Sequence, residues 1–385
     1  MFLERHKLLQ NHIAAHGLGL VLLTNEDTVY YFSGFYDYLH MDFGRPTILA
    51  IRPDRDPVLL TPMIEFEMAQ RMTAINDIRP WQDGDGSEWR AELLRLISDA
   101  QSIKIGIDMQ SMPPIVRTFL DEIIDNQVLY DIDPIIAEMR MIKSSGELQL
   151  ARHAGEVGIA MMQAGRDQIA DGVPEFEVAL AVARAGSIRA AALLSKYYDD
   201  PWMSPNTYFL QIMASGSNIT MAHHRPTLRQ IEHGDPIFLC LCGITNFHRF
   251  KLGFDRTFWL GEIKSKKQED VYQLAVSSQQ AALDTIRPGV LAEDVHAAYA
   301  EVIHSAGYDY PFRCGRATGF SFIEQPQLVS GDKTRLQSGM VLAVDGSVSI
   351  AGEFRAQVGD SVIVNDEGYE PITKFSKSIE DSIIY

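Results

Sequence analysis

Cysteine is scarce in this sequence: Cys240, Cys242 and Cys314 are the only three in 385 residues. Three cysteines cannot all pair and no CxxC spacing occurs, so we expect no disulfide framework and a reducing, cytoplasmic setting. Long apolar runs are also missing. No stretch approaches the roughly 18 apolar residues of a membrane span, and charged residues interrupt the N-terminal segment where a signal peptide would be apolar. We therefore expect a cytoplasmic protein without a membrane partner.

Positive charge is in short supply as well. The chain has 34 Lys and Arg against 51 Asp and Glu, which gives a formal net charge of −17. Nucleic-acid recognition needs clustered Lys and Arg, so we expect no nucleic-acid partner. The remaining composition, 46% hydrophobic and 22% charged, is that of a globular protein, and the length predicts two domains or one large one.

Hydrophobic periodicity divides the chain into two parts. In residues 1–137, short apolar runs typical of strands (19–23, 47–51, 57–60 and 103–107) alternate with helical spacing such as that of 88–100. This alternation predicts an α/β domain. In residues 138–385, longer helical patterns (147–164, 174–194, 267–286 and 292–306) are separated by strand patterns (236–242, 339–344 and 361–364). The second part is therefore predicted to be an α+β domain.

Seven segments of the second part form an informative series. They are 139–147, 222–227, 254–258, 286–290, 315–326, 336–345 and 360–368. In that order they resemble the creatinase/aminopeptidase P (M24) family, whose catalytic domain has the pita-bread fold, and residues 31–45 resemble the smaller N-terminal domain of that family. The resemblance implies an N-terminal α/β domain of the creatinase type, 1–137, followed by an α+β pita-bread domain, 138–385.

The peptidases of that family bind two divalent metals through two Asp, one His and two Glu. At the matching positions this sequence has Cys240, Gly253, Arg316, Asp345 and Gly359, so one possible ligand of five remains. A fixed guanidinium among these positions opposes a dication. We expect no metal and no other cofactor, and the chain resembles the metal-free, creatinase-like branch rather than the metallopeptidases.

Two cysteines lie close together in the predicted strand at 236–242. Cys240 and Cys242 are two residues apart and point to the same face of a strand, but no second Cys or His pair has the spacing of a zinc site. A nucleophilic cysteine would need an adjacent base, which the sequence does not indicate. We interpret both as small buried side chains.

The resemblance implies two groups for acid–base chemistry. His223 matches the creatinase His that acts as general base and acid, a role suited to an unperturbed pKa of about 6.5. A structural, hydrogen-bonded His is the alternative, and His224 is the second candidate. Asp255 matches a creatinase Glu near the reacting centre but is one methylene shorter; its alternative role is as a structural partner of Arg256 or of a neighbouring strand.

A further match, Phe43-Gly44-Arg45, lies in the N-terminal domain. In creatinase these residues reach the partner subunit's site, where the Arg binds the substrate's carboxylate. A guanidinium suits that task because it makes two parallel hydrogen bonds to a carboxylate. Phe43 and Arg45 therefore predict a homodimer with an acid as substrate. The alternative is an ordinary surface Arg at the start of a strand.

Arg316 stands in the vacated metal centre, opposite Asp345. It either polarises a carbonyl or stabilises an oxyanion, as the metals would, or it forms an ion pair with Asp345 that plugs the cavity. Glu324 is a candidate second carboxylate. Arg355 and Glu353 are expected on a solvated turn.

The predicted function is metal-independent hydrolysis of a C–N bond of the amide, cyclic amidine, guanidino or ureido type in a small carboxylate-bearing compound. The alternatives are a non-catalytic pita-bread protein that binds a ligand or a protein, and a lyase acting on a small acid. Creatine itself is not the expected substrate. Val358 and Gln327 stand where creatinase has a carboxylate for the guanidinium and a second Arg for the carboxylate.

Overall fold

The computed structural model describes residues 2–36, 45–84, 86–100 and 104–385. The chain divides into two compact units, Met1–Arg140 and Met141–Tyr385. The first is an α/β unit and the second an α+β unit, which confirms the predicted fold class. Each unit has a hydrophobic core of its own.

In the first unit, strands and helices alternate along the described residues. The helices are α1 (Phe2–Ala15), α2 (Glu26–Ser33), α3 (Phe66–Met72), α4 (Glu88–Asp99), α5 (Pro114–Ile123) and α6 (Asp133–Met141), and the strands are β1 (Leu20–Leu23), β2 (Ile48–Ile51), β3 (Val58–Pro62), β4 (Asp77–Trp81), β5 (Ile105–Ile107) and β6 (Leu129–Asp131). The sheet order is β4-β3-β2-β1-β5-β6, with β2 antiparallel to both of its neighbours. Its central strands are buried throughout, as expected of a sheet covered on both faces.

In the second unit, long helices pack on a larger sheet. The helices are α7 (Ser145–Gln168), α8 (Glu175–Tyr197), α9 (Lys266–Thr285), α10 (Ala292–Ser305) and α11 (Ile379–Ser382), and the strands are β7 (Ile212–Ser215), β8 (Pro236–Cys240), β9 (Asp255–Leu260), β10 (Arg313–Ala317), β11 (Glu324–Val329), β12 (Val341–Ile350), β13 (Phe354–Asn365), β14 (Gly368–Pro371) and β15 (Ile383–Ile384). The main path runs β11-β10-β12-β13-β9-β8-β7, all antiparallel; β14 extends β13, and β15 pairs in parallel with β9.

A glycine lets α9 lie directly on this sheet. A Cβ at Gly346 of β12 would be 2.0 Å from the carbonyl oxygen of Ala275 in α9. Successive side chains of a strand point to opposite faces, so Asp345, the preceding residue, points away from α9. The face opposite α9 therefore carries the polar residues described below.

One helix differs from the sequence expectation. By length and composition α8 could cross a membrane, although no such segment was expected. It packs along α7 and buries Val178, Val182 and Leu193 within the unit. Core helices of globular proteins meet the same criterion, so α8 is weak evidence for a membrane.

Candidate active site

Four neighbouring strands place polar residues in one row across the second sheet. Cys240 of β8 pairs with Asp255 of β9, Asp255 pairs with Gly359 of β13, and Gly359 pairs with Asp345 of β12. Directly paired residues share a face of the sheet. The side chain of Arg316 in β10 joins this row, because its Nη1 lies 3.3 Å from Asp345 Oδ2.

Two glycines, one in this row and one beside it, leave space without a side chain. A Cβ at Gly359 would be 2.5 Å from Asp255 Oδ2 and 2.5 Å from Asp345 Oδ1, so the two carboxyl groups flank the same point. A Cβ at Gly253 would be 3.6 Å from Arg316 Nη2. The residues that the sequence placed at the metal positions of the peptidases thus come together in the structure.

Arg316 and Asp345 form the predicted ion pair, but they leave hydrogen-bonding capacity unused. Arg316 is 4% exposed, and its guanidinium lies 4.1 Å from the ring centroid of Phe322. Arg316 Nε and Asp345 Oδ1 are buried without a partner among the described residues. Burial raises the pKa of Asp345, against the opposing effect of Arg316. If the ion pair only filled the cavity, both of these atoms would be expected to have hydrogen-bond partners. Groups that bind a ligand instead keep such atoms available for it.

Asp255 is fully buried, and only one of its carboxyl oxygens has a partner in the described part of the chain. Oδ2 accepts a hydrogen bond from Gln357 Nε2 at 2.9 Å and lies 3.7 Å from Cys242 Sγ, whereas Oδ1 has no partner. Burial raises the pKa of Asp255 well above its usual range, and Asp345 and Cys242 raise it further. Arg256, the alternative partner considered from the sequence, instead donates to Asp360 at 2.7 Å.

Cys242 is the residue that the sequence interpretation missed. It is half-buried rather than enclosed, and its sulfur lies 3.7 Å from Asp255 Oδ2 and within 4.8 Å of the Cys240 sulfur. The neighbouring Cys240 thiol lowers the pKa of Cys242, and the charge of Arg316 lowers it further against the effect of burial. The predicted strand at 236–242 is too long: β8 ends at Cys240, and Cys242 lies just after it in a turn. The short separation of the two cysteines was a usable signal, but the pairing of β8 with β9 was not visible in the sequence.

Arg355 corrects a second expectation. It lies within β13, on the same face as Gln357 and Gly359, and its Nη1 is buried without a partner among the described residues. Its guanidinium lies 4.7 Å from the ring centroid of Phe238. The prediction of a solvated turn was wrong for Arg355 because the turn ends at Glu353, which is exposed and binds Lys267 at 2.6 Å.

The other predicted residues have different surroundings. Glu324 binds Lys143 through a buried 2.7 Å contact and accepts from the backbone N–H of Ser321, so its charge is compensated locally. His223 is exposed on the turn 221–224, and no hydrogen bond from its imidazole to another described residue is present. His224 Nδ1 instead lies 2.9 Å from the carbonyl oxygen of Met213, which is a structural contact.

In the N-terminal unit, Arg45 binds Asp83, with Nε donating to Oδ2 at 2.7 Å. The Arg45 side chain is 35% exposed. Phe43 lies outside the described residues. No contact within one chain tests the predicted role of Arg45 in a partner's site.

The side chains present do not fit a pair of divalent cations. Gly253 and Gly359 supply no ligand atom, and Arg316 supplies a cation where a ligand would be required. A different set, Cys240, Cys242 and Asp255, has ligand atoms within 4.8 Å of one another. Such donors suit zinc, but the positive charge of Arg316 acts on the same two cysteines and opposes a cation there.

Known proteins resemble this chain over nearly its full length. It is 27% identical to an agropine synthesis cyclase of Rhizobium rhizogenes, with 93% of this chain and 92% of the relative covered. It is 24% identical to a Xaa-Pro dipeptidase of Lactobacillus delbrueckii subsp. lactis, with 97% of each covered. The crystal structure of a Thermococcus sibiricus prolidase has the same fold, with a TM-score of 0.84 at 22% identity over 100% of this chain and 99% of that one.

Family models agree with this likeness. Residues 5–142 match the creatinase/prolidase N-terminal domain and residues 149–366 match metallopeptidase family M24. The predicted creatinase-type domain followed by a pita-bread domain is confirmed. The chain therefore belongs to family M24, with the fold of the prolidases and with a polar row at its centre that lacks the expected metal ligands.

Proposed function

We propose that this M24 protein cleaves or closes a C–N bond in a small carboxylate-bearing compound without a metal ion. The bond belongs to an amide, a cyclic amidine, or a guanidino or ureido group. The observation that carries the proposal is the set of buried polar atoms without a partner in the described residues: Asp255 Oδ1, Asp345 Oδ1, Arg316 Nε and Arg355 Nη1. Buried polar groups are normally hydrogen-bonded, so four such atoms on one face of the sheet indicate a polar ligand.

The charges of these groups suggest how that ligand binds. Arg316 and Arg355 supply guanidinium donors, which suit a substrate carboxylate or a carbonyl oxygen that becomes negative during reaction. Asp255 and Asp345 supply carboxyl groups for N–H or O–H donors of the substrate. Such a balanced set favours a compact compound with both kinds of group, and an acid in particular.

The name of one relative supports a ring-forming or ring-opening reaction. Agropine synthesis cyclase is described as a cyclase. Closing a ring with loss of water is the reverse of opening it by hydrolysis, so the same residues serve both directions. Cyclic amides and amidines of small acids are therefore the first substrates to test.

The proposed acid–base group is His223, with Asp255 as the second carboxyl-bearing residue. His223 is exposed, so its imidazole has access to water. An imidazole can take a proton from water and return it to a leaving nitrogen. Asp255, which is buried and has a raised pKa, is suited to donate rather than accept a proton at neutral pH.

The test is a substrate panel assayed with the full-length protein after chelation and again with added Mn²⁺. The panel contains lactams and cyclic amidines of small acids, guanidino and ureido acids, and Xaa-Pro dipeptides. We expect turnover of one of the first classes, unaffected by chelation, and none of the dipeptides. Dipeptide hydrolysis that requires Mn²⁺ would overturn the proposal, and no turnover at all would favour a non-catalytic binding protein.

Matched histidine variants test the assignment of the base. With the substrate identified by the panel, His223→Ala is expected to lower kcat about 100-fold or more, which is the usual loss when a general base is removed. His224→Ala is the control, because His224 is held by the Met213 carbonyl and is expected to affect stability rather than kcat. Equal kcat values for His223→Ala and wild type would exclude His223 as the base.

A further inference from the structure

We infer that Cys242 is the nucleophile of this site, and that Asp255 passes its proton to the leaving nitrogen. The inference rests on the proposed C–N bond reaction and adds a covalent intermediate to it. No M24 metal position falls on Cys242. Its assignment comes from the contacts of its sulfur alone.

The surroundings of its sulfur distinguish Cys242 from the other cysteines. The sulfur donates to Asp255 Oδ2 at 3.7 Å, lies within 4.8 Å of the Cys240 sulfur, and is close enough to Arg316 to feel its positive charge. A carboxyl group that can accept the thiol proton and a guanidinium that stabilises the resulting thiolate are the features of a reactive cysteine. Cys314, by contrast, is fully buried and donates only to the Leu328 carbonyl at 3.8 Å.

Access and unused hydrogen-bonding capacity point to a ligand at the same place. Cys242 is half-buried and is the more exposed of the two neighbouring cysteines, since Cys240 is 6% exposed. Asp255 is fully buried and its Oδ1 has no partner in the described residues. The directions of the pKa shifts agree with this arrangement, since that of Cys242 is lowered and that of Asp255 is raised.

The reaction then proceeds in two balanced steps. The sulfur electron pair of Cys242 forms an S–C bond to the carbonyl or amidine carbon, and the thiol proton passes to Asp255 Oδ2. Asp255, which is protonated at the start, gives its own proton from Oδ1 to the leaving nitrogen as the C–N bond breaks, so it remains protonated. In the second step water, deprotonated by His223, attacks that carbon, the S–C bond breaks, and the proton returns to the thiolate. A hydroxyl or amine of the substrate in place of water closes a ring instead.

The first experiment measures thiol reactivity and needs no substrate. The folded wild-type protein is treated with iodoacetamide, and the labelled cysteine is located by peptide mass spectrometry over time. We expect Cys242 to be alkylated at least about tenfold faster than Cys314, and Arg316→Gln to reduce the Cys242 rate by removing the cation that stabilises the thiolate. Equal rates for Cys242 and Cys314 would overturn the inference.

The second experiment uses the substrate found in the panel. Cys242→Ala and the closer isostere Cys242→Ser are expected to lose about a thousandfold or more in kcat, whereas Cys314→Ala retains activity. Rapid quenching of the wild type should show a mass increase on the peptide containing Cys242. Circular dichroism checks that both Cys242 variants fold.

The outcomes separate this inference from the proposed function. Turnover that persists in Cys242→Ser and Cys242→Ala overturns the covalent step and leaves metal-free C–N chemistry in place. Absence of turnover in the wild type overturns the proposed function, while rapid alkylation of Cys242 still supports a nucleophilic thiolate. Stoichiometric zinc that is lost in Cys242→Ala would overturn the inference, because the sulfur would then be a metal ligand.

Discussion

The carboxyl group of Asp255 is buried, so its protonation is coupled to folding. Burial raises its pKa well above the value of about 3.9 in an unfolded chain. Between these two pKa values the folded state holds a proton that the unfolded chain has released. The stabilisation associated with Asp255 is therefore complete below about pH 4 and is lost as the pH rises through the folded pKa.

Replacing Asp255 by Asn should remove this pH dependence. We expect the stability of Asp255→Asn relative to wild type to increase with pH above about 4, by up to about 1.4 kcal/mol per pH unit within the window. Urea unfolding at a series of pH values measures the difference. Asp284→Asn, at an exposed position of α9, is the matched control and should follow the wild type. Parallel curves for Asp255→Asn and wild type would contradict the assignment.

Arg355 shows why single residues are hard to interpret from their sequence neighbours. It follows a turn that contains Gly352 and the exposed Glu353, a pattern typical of solvated side chains. The strand nevertheless resumes one residue before it, and alternation then directs Arg355 to the face of Gln357 and Gly359. Burial lowers the pKa of Arg355, opposed by the nearby Asp255. A shift of one residue in the start of β13 would have placed it on the other face.

At the scale of secondary structure, the contact of α9 with β12 depends on one missing side chain. Gly346 lies directly under the helix, and a Cβ there would be 2.0 Å from the Ala275 carbonyl oxygen and 2.7 Å from Gln279 Cβ. Backbone atoms of a long helix cannot move away individually, so the whole helix would have to shift. Since Asp345 precedes Gly346, such a shift would also displace the polar row.

Gly346→Ala should therefore destabilise the protein by about 1–3 kcal/mol, the usual cost of overpacking a core. Ser349→Ala, at an exposed position of the same strand, is the control and should stay within about 0.5 kcal/mol of wild type. Chemical denaturation measures both. If the two substitutions had equal effects, α9 would not be in contact with the sheet at this position.

At the scale of the whole molecule, the sequence predicts a homodimer in which Arg45 completes the partner's site. Within its own unit Arg45 forms a partly exposed ion pair with Asp83, and such pairs contribute about 1 kcal/mol or less. Arg45→Ala should therefore fold normally. A loss of activity in this variant would then reflect the site and not the stability of the N-terminal unit.

Mixing two inactive variants tests whether sites are shared between subunits. In a random mixture of Arg45→Ala and Cys242→Ala subunits, half of the dimers are mixed and each has one intact site, so activity should recover to about a quarter of wild type. Each variant incubated alone is the control. No recovery, or a fully active monomer by analytical ultracentrifugation, would show that Arg45 does not act across a subunit interface.

The sequence by itself was sufficient for the fold class, and it predicted that most of the metal-binding side chains of the family are replaced. Periodicity is a local property of the chain, so the change from an α/β to an α+β pattern can be read from windows of a few residues. The types of residue at ligand positions are also local: the side chains of Gly253, Gly359 and Arg316 offer no atom that binds a cation, wherever the fold places them. Only the family resemblance identified these positions as those of the metal ligands in the peptidases.

Only the tertiary structure decided which polar groups meet. Asp255 and Gln357 are 102 residues apart, and their contact depends on the pairing of β9 with β13. The approach of Asp255 to Cys242 likewise depends on β8 lying beside β9. Strands from distant segments pair through backbone hydrogen bonds, which do not depend on residue type. A shift of one residue in the pairing would move every side chain of a strand to the other face of the sheet. For this reason the sequence indicated Asp255 and Arg316 as site residues, but the thiol between them emerged only from the fold.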